Sequence, residues 1–149
     1  MTIYPDTSFL LSWLAGGDKH HPQAQVWYKA HFRDQWLISP WAEFETMNSL
    51  RQLCLRPNGP PPPRIEAIRA YFRHLFQSGP LERRAVDWLA VLAGCHEISS
   101  ACASQIKARA ADIVHVAMLD LILPDVFVSG DSDQLALAKA RGFHCEEFR

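Results

Sequence analysis

The apolar and polar positions of the chain alternate between two periods. "TIYPD" is short and apolar enough to be a strand, and "TSFLLSWLAGG" follows with a helical spacing that its glycines bring to an end. "HPQAQVWYKAHF" reads as a second helix, with Pro22 in the first turn, where a missing N–H costs nothing. "QWLIS" has the character of a buried strand. "SPWAEFETMNSLRQLCLR" then opens a helix on Ser39 as N-cap and Pro40 as first helical residue. The run "PNGPPPP", residues 57–63, breaks the pattern as a rigid, exposed turn or polyproline segment between helices. Two amphipathic helices are expected over "RIEAIRAYFRHLFQSG" and "LERRAVDWLAVLAGCHEIS", and a third over "AADIVHVAMLDLI". "DVFVSGD", "SDQLALAKARG" and "FHCEEF" complete the chain as strand, helix and edge strand.

Strands separated by helices imply a parallel sheet covered on both faces, a three-layer α/β architecture. The 149 residues, 48% apolar, suffice for one core, and neither flank of the proline run could build one alone, so residues 1–149 are read as one domain. In such sheets a site forms beyond the carboxyl ends of the strands, which is where Asp131 follows "VFVSG".

Charge and composition narrow the partners. With 15 basic and 16 acidic residues the formal charge is −1, which excludes a globally basic nucleic-acid binder and leaves only a local polyanion site. No apolar run reaches transmembrane length and the start has no signal-like segment, so the expectation is a cytoplasmic protein without a membrane partner. The four cysteines lack a CxxC pair and read as reduced, packed thiols.

Four acids stand at positions that the architecture directs toward one rim, each with a structural alternative. Asp6 ends the first strand, or caps the following helix. Glu45 shares a helical stripe with Trp41, Asn48 and Gln52, or belongs to a solvated surface; Glu43, two residues earlier, points elsewhere. Asp112 lies among apolar neighbours, where an unpaired carboxylate is costly, and Arg109 is a candidate salt-bridge partner. Asp131 follows Gly130, or forms a capping-box-like pair with Gln134.

Taken in order, "YPDTSFLL", "FETMNSLR", "ARAADIVHVAML" and "VSGDSDQLALAKARGF" resemble the PIN-domain superfamily, and within it the VapC-like toxin ribonucleases of type II toxin–antitoxin pairs. The likeness covers essentially the whole chain. The residues that carry it are Asp6-Thr7-Ser8, Glu45 ahead of Asn48, Asp112 ahead of His115 and Ala117, and Ser129-Gly130-Asp131. It implies a PIN-like α/β/α fold, with a central parallel sheet of four to five strands, in a single PIN domain. It implies a metal-dependent endoribonuclease in which Asp6, Glu45, Asp112 and Asp131 are catalytic.

Physical chemistry is consistent with that implication. Two carboxylates ~4 Å apart repel by roughly 4 kcal/mol at an effective dielectric near 20, so a shared pocket calls for protons or a cation. Carboxylates without His or Cys at matching spacing select Mg²⁺ or Mn²⁺ over zinc. Under the resemblance Asp6, Asp112 and Asp131 are the metal ligands, and Glu45 binds a second ion or orients the attacking water. Ser8 and Ser129 hold the carboxylates from behind. RNA is the implied substrate, cut to 5′-phosphate and 3′-hydroxyl ends; a small antitoxin and a second copy of the chain are the implied partners.

Other residues stay open at this point. Asp133 is a reserve acid, or surface. His115 reaches substrate or ion, or is simply packed. His20 and His21 beside Asp18 make a metal clip, or an exposed helix start. Arg64, Arg69, Arg73, Lys139 and Arg141 bind RNA phosphates, or cover solvated helix faces. Some of the five tryptophans lie at an interface, or all belong to an aromatic core. Two further functions compete: a catalytically silent PIN-like module that binds RNA or protein, and a magnesium-dependent phosphatase of the haloacid-dehalogenase type. The latter needs Asp at position 8, which is Ser.

Overall fold

The computed structural model describes residues 1–102 and 105–149. Five strands, β1 (Thr2–Pro5), β2 (Gln35–Ile38), β3 (Leu81–Arg83), β4 (Val126–Ser129) and β5 (Cys145–Glu147), form one parallel sheet in the order β3-β2-β1-β4-β5. Among the described residues seven helices cover it: α1 (Thr7–Leu14), α2 (His21–Ala30), α3 (Pro40–Leu53), α4 (Pro62–Ser78), α5 (Trp88–Cys102), α6 (Ala110–Ile122) and α7 (Ser132–Ala140). This is the three-layer α/β arrangement expected from the alternation of apolar periods.

The chain steps from β1 outward to β2 and β3, then returns past β1 to β4 and β5. Because parallel crossovers are right-handed, this reversal sends the later helices to the opposite face of the sheet from the earlier ones. The helix contacts agree, with α1 packing on α2 and α3, and α3 on α4, while α6 packs on α5 and α7. Strand register then decides which side chains share a face. Ile3 pairs with Trp36 and looks toward the α1 layer, where Trp36 stacks on Phe9. Tyr4 pairs with Phe127 and looks the other way, toward α6.

Several local expectations are met by geometry. Ser39 caps α3 by accepting the Ala42 N–H at 3.1 Å, and Pro22 and Pro40 sit in first turns. Pro5 closes β1 where its missing donor is harmless, and the next residue resumes the ladder with Asp6 N–H to Val128 O at 3.0 Å. The helix expected over "LERRAVDWLAVLAGCHEIS" begins later than its sequence suggests. Leu81–Arg83 is a strand instead, because it pairs with Trp36, Leu37 and Ile38 and buries Leu81. The proline run is also shorter as a turn than expected: Pro62 and Pro63 already belong to the first turn of α4.

The core is continuous and strongly aromatic on the α1 side, where Phe9 contacts Trp13, Trp27, Trp36 and Phe148. Trp13 and Trp36 are buried, Trp27 and Trp41 partly so, and Trp88 is exposed. The four cysteines are free thiols. Among the described residues no helix is long and apolar enough to cross a membrane.

Candidate active site

At the carboxyl ends of β1 and β4 the chain turns directly into α1 and α7, and each turn is closed by an aspartate. Asp6 is the N-cap of α1 and only 3% exposed. Its Oδ1 accepts the Phe9 N–H and the Ser8 hydroxyl, both at 2.8 Å, and its Oδ2 accepts the Ser129 hydroxyl at 2.7 Å. Burial pushes the Asp6 carboxyl above its ordinary value, while the nearby His115 ring and these donors pull it back. Ser8 and Ser129 also reach across the rim: Ser8 Oγ accepts the Gly130 N–H and Ser129 Oγ accepts the Asp131 N–H, each at 2.9 Å. The two serines therefore lace the end of β1 to the loop that carries Asp131.

Asp131 caps α7, with Oδ1 accepting the N–H groups of Asp133 (2.9 Å) and Gln134 (3.1 Å). The reciprocal half of a capping box is not made, since Gln134 Oε1 is buried without a partner. Asp133 is exposed. The side chains of Phe148 and Arg149 pass close to Gly130. A Cβ on it would stand 2.3 Å from the Arg149 Nε and 2.7 Å from the Phe148 ring, so the last residues of the chain lie over this loop.

Asp112 stands in the first turn of α6 and accepts the Arg109 backbone N–H at 2.8 Å. The salt bridge anticipated from Arg109 is replaced by this main-chain contact, and the Arg109 side chain is exposed. Burial raises the Asp112 carboxyl, and the charges of Asp131 and Glu45 raise it further, against the Arg109 N–H and His115, which lower it. The Asp112 carboxyl on α6 thus feels the charges of Glu45 on α3 and Asp131 in the β4–α7 turn, although the three come from distant positions in the sequence.

Glu45 lies in the second turn of α3 rather than its first, and its Oε2 receives two donors. These are the Thr7 hydroxyl at 2.5 Å and His115 Nε2 at 2.8 Å. Burial alone would raise its carboxyl, but the hydrogen bond and charge of His115, with the Thr7 hydroxyl, hold it below the ordinary value. His115 is 1% exposed, and its other nitrogen, Nδ1, lies 3.1 Å from the Tyr4 hydroxyl. Tyr4 in turn meets Ser39 Oγ at 2.7 Å. Burial drives the Tyr4 phenol far above its usual range, so it stays a hydroxyl. The chain Ser39–Tyr4–His115–Glu45–Thr7 was not legible in sequence beyond the presence of His115. Its members are separated by up to 111 residues, and Thr7 showed itself only as the middle of Asp-Thr-Ser.

Other residues are placed elsewhere. Glu43 forms a two-bonded pair with Arg83 at 2.8 and 2.9 Å. Asp18 accepts Ser12 Oγ and the His20 N–H, while His21 Nδ1 meets Ser12 O, so this cluster braces the α1–α2 turn. Arg69 pairs with Glu66, and Arg141 with Glu97 and Asp120, which removes both from the phosphate-binding candidates with free charge. None of the four site acids is paired with lysine or arginine among the described residues. A separate cavity of about 550 Å³ opens between the end of α1 and the start of α4, lined by Leu11, Leu53, Arg56, Pro60, Arg64 and Ile68 among others.

Glu45 Oε1, Asp112 Oδ1 and Asp131 Oδ2 have no hydrogen-bond partner among the described residues, so one hard oxygen per acid is available. No three His, Cys, Asp or Glu side chains among the described residues are gathered as a ready-made metal site. Open carboxylate oxygens are the kind of ligand that suits Mg²⁺, which keeps several waters and takes one or two carboxylates.

Comparison with known proteins gives a likeness of structure and not of sequence. No protein-family model matches the chain, and no curated protein matches it by sequence. Among solved structures, the sarcin–ricin-loop-cleaving toxin VapC20 of Mycobacterium tuberculosis superposes with a TM-score of 0.68 at 20% identity, covering 95% of each chain. VapBC2 of Rickettsia felis, bound to a fragment of promoter DNA, gives 0.70 at 9% identity over 99% of this chain and 98% of the other. FitAcB of Neisseria gonorrhoeae gives 0.62 at 14% identity over 96% and 95%. Across nearly its full length, the chain has the PIN-like fold that these toxin–antitoxin proteins share.

Proposed function

We propose that this chain is a divalent-metal-dependent endoribonuclease, the toxin of a toxin–antitoxin pair, acting as one PIN-type domain over residues 1–149. The observation that carries the reading is that Glu45, Asp112 and Asp131 each keep a carboxylate oxygen without a hydrogen-bond partner, with no lysine or arginine paired to any of them among the described residues, while burial and the charges of Asp131 and Glu45 raise the Asp112 carboxyl. Negative charge held together in this way is stabilised by a hard cation. The fold supports the same reading, since one of its structural neighbours is an RNA-cleaving toxin.

Asp6, Asp112 and Asp131 would hold the ion. A bound Mg²⁺ or Mn²⁺ supplies Lewis acidity toward a phosphodiester oxygen and lowers the pKa of water. The chain contributes orientation. Ser8 and Ser129 fix Asp6 against the Asp131 loop, and Glu45, with Oε2 occupied, presents Oε1 to accept a proton from the attacking water. Water, and not the ribose 2′-hydroxyl, attacks phosphorus and the bond to the 3′-oxygen breaks, so the products carry 5′-phosphate and 3′-hydroxyl ends, with no covalent intermediate on a side chain. The antitoxin would dock over the cavity beside the proline-rich turn, and a homodimer would follow the VapC pattern.

The test is cleavage of structured RNAs by purified protein with Mn²⁺ or with chelator, beside a phosphate monoester as control. Cleavage of RNA alone, abolished by chelator and by Asp112→Asn, is the expected result. Activity that survives both would remove the mechanism, and binding without cleavage would favour the silent module.

A further inference from the structure

We infer that His115 is the positioning residue of this site, a buried clamp that fixes which oxygen of Glu45 faces the reaction. The inference rests on the nuclease reading and adds a residue to it. Three observations carry it. His115 Nε2 and the Thr7 hydroxyl both address Oε2 of Glu45, at 2.8 and 2.5 Å, leaving Oε1 as the only oxygen of that carboxylate without a partner among the described residues. The ring cannot rotate freely, because Nδ1 meets the Tyr4 hydroxyl at 3.1 Å and Tyr4 meets Ser39 Oγ at 2.7 Å. The anchor at the far end is rigid as well, since Ser39 Oγ is the N-cap acceptor of α3, the helix that bears Glu45.

The Glu45 carboxylate can only accept, so the nitrogen that faces it, Nε2 of His115, carries a proton. Ser39 Oγ accepts the Ala42 N–H and keeps one hydrogen, which can go to the Tyr4 oxygen while the Tyr4 hydrogen goes to Nδ1, so every group in the chain can be matched. A core of Val116, Met118 and Phe127 beside it would have accepted an apolar residue at 115 with less cost, because a buried polar ring must be matched at both nitrogens. The matching is complete, and it ends on a site acid. His115 also bears on Asp6 and Asp112, so among the described residues three of the four acids have this ring near them.

Two experiments decide the matter. In metal-free protein, ¹⁵N-resolved NMR of the His115 ring is expected to show a slowly exchanging proton on Nε2 that shifts in Glu45→Gln and in Tyr4→Phe. In cleavage assays, His115→Leu, which keeps the volume but no polar atom, is expected to lower kcat by about 10–100-fold with KM nearly unchanged. His115→Gln, which offers an amide donor to Glu45, should recover part of that loss at an equal melting temperature. An Nε2 without a proton, or His115→Leu with wild-type kcat while Asp112→Asn is dead, would overturn the clamp and leave the nuclease standing. Wild-type protein that cuts no RNA would overturn both.

Discussion

Trp36 and Tyr4 occupy neighbouring strands of one sheet and both are wholly buried, yet they face opposite helical layers and are held by different forces. Around Trp36 the contacts are aromatic: Phe9 stacks at 5.3 Å between centroids, Trp27 meets it edge-on at 5.6 Å, and Tyr28 tilts at 5.2 Å. Around Tyr4 the stacking on Phe127 is joined by a hydroxyl that begins a polar chain running to the rim. The first face gains stability from area removed from water, a force without direction. The second gains little net energy from its hydrogen bonds, but they have direction, and direction is what a reacting centre requires. A protein can therefore hold a precise acid in place only if something elsewhere supplies the bulk of its stability, and here the aromatic face does so.

The contrast can be broken most strongly from the aromatic side. Phe9→Ala removes a ring that touches Trp13, Trp27, Trp36 and Phe148, and should cost about 3–5 kcal/mol in denaturant unfolding. Cleavage per folded molecule should fall far less than stability, because the backbone N–H of residue 9 still donates to Asp6 Oδ1. A smaller loss is expected from the polar side. Ser39→Ala removes the α3 cap, worth about 1 kcal/mol, and leaves Tyr4 short of one partner; its mark should be a fall in kcat out of proportion to its change in melting temperature.

The smallest effect is a pH dependence. The carboxyl of Asp6 is raised in the folded protein by burial, so its contribution to stability is fully present below the unfolded aspartate value and is lost as pH rises through the folded one. Asp6→Asn keeps a good helix cap and cannot ionise. Its melting temperature should therefore gain on the wild type as pH is raised from about 4 toward neutrality, and parallel curves would show that Asp6 is solvated after all.

Much of the layered fold was legible because its strands and helices announce themselves locally. "VFVS" and "QWLI" are apolar runs of strand length, and Ser39-Pro40 is a helix start in two residues. Strand β3 was not legible, since Leu81, Glu82 and Arg83 are good helix formers and only pairing with β2 makes them extended. Of the site, Asp6 and Asp131 could be placed at a rim from topology alone. For Asp131, capping occupies Oδ1 and leaves Oδ2 open, whereas Asp6 is engaged at both oxygens, by Phe9 and Ser8 at Oδ1 and by Ser129 at Oδ2. The Tyr4–His115 contact could not be foreseen, because nothing in a single sequence says that residues 111 apart will meet.

The close passage of Arg149 over Gly130 has a practical side. Any residues joined after position 149, natural or appended for purification, emerge beside the loop that bears Asp131. Affinity handles are best fused at the other end of the polypeptide, where Met1 faces Asp34 at 3.1 Å on the opposite edge of the strands.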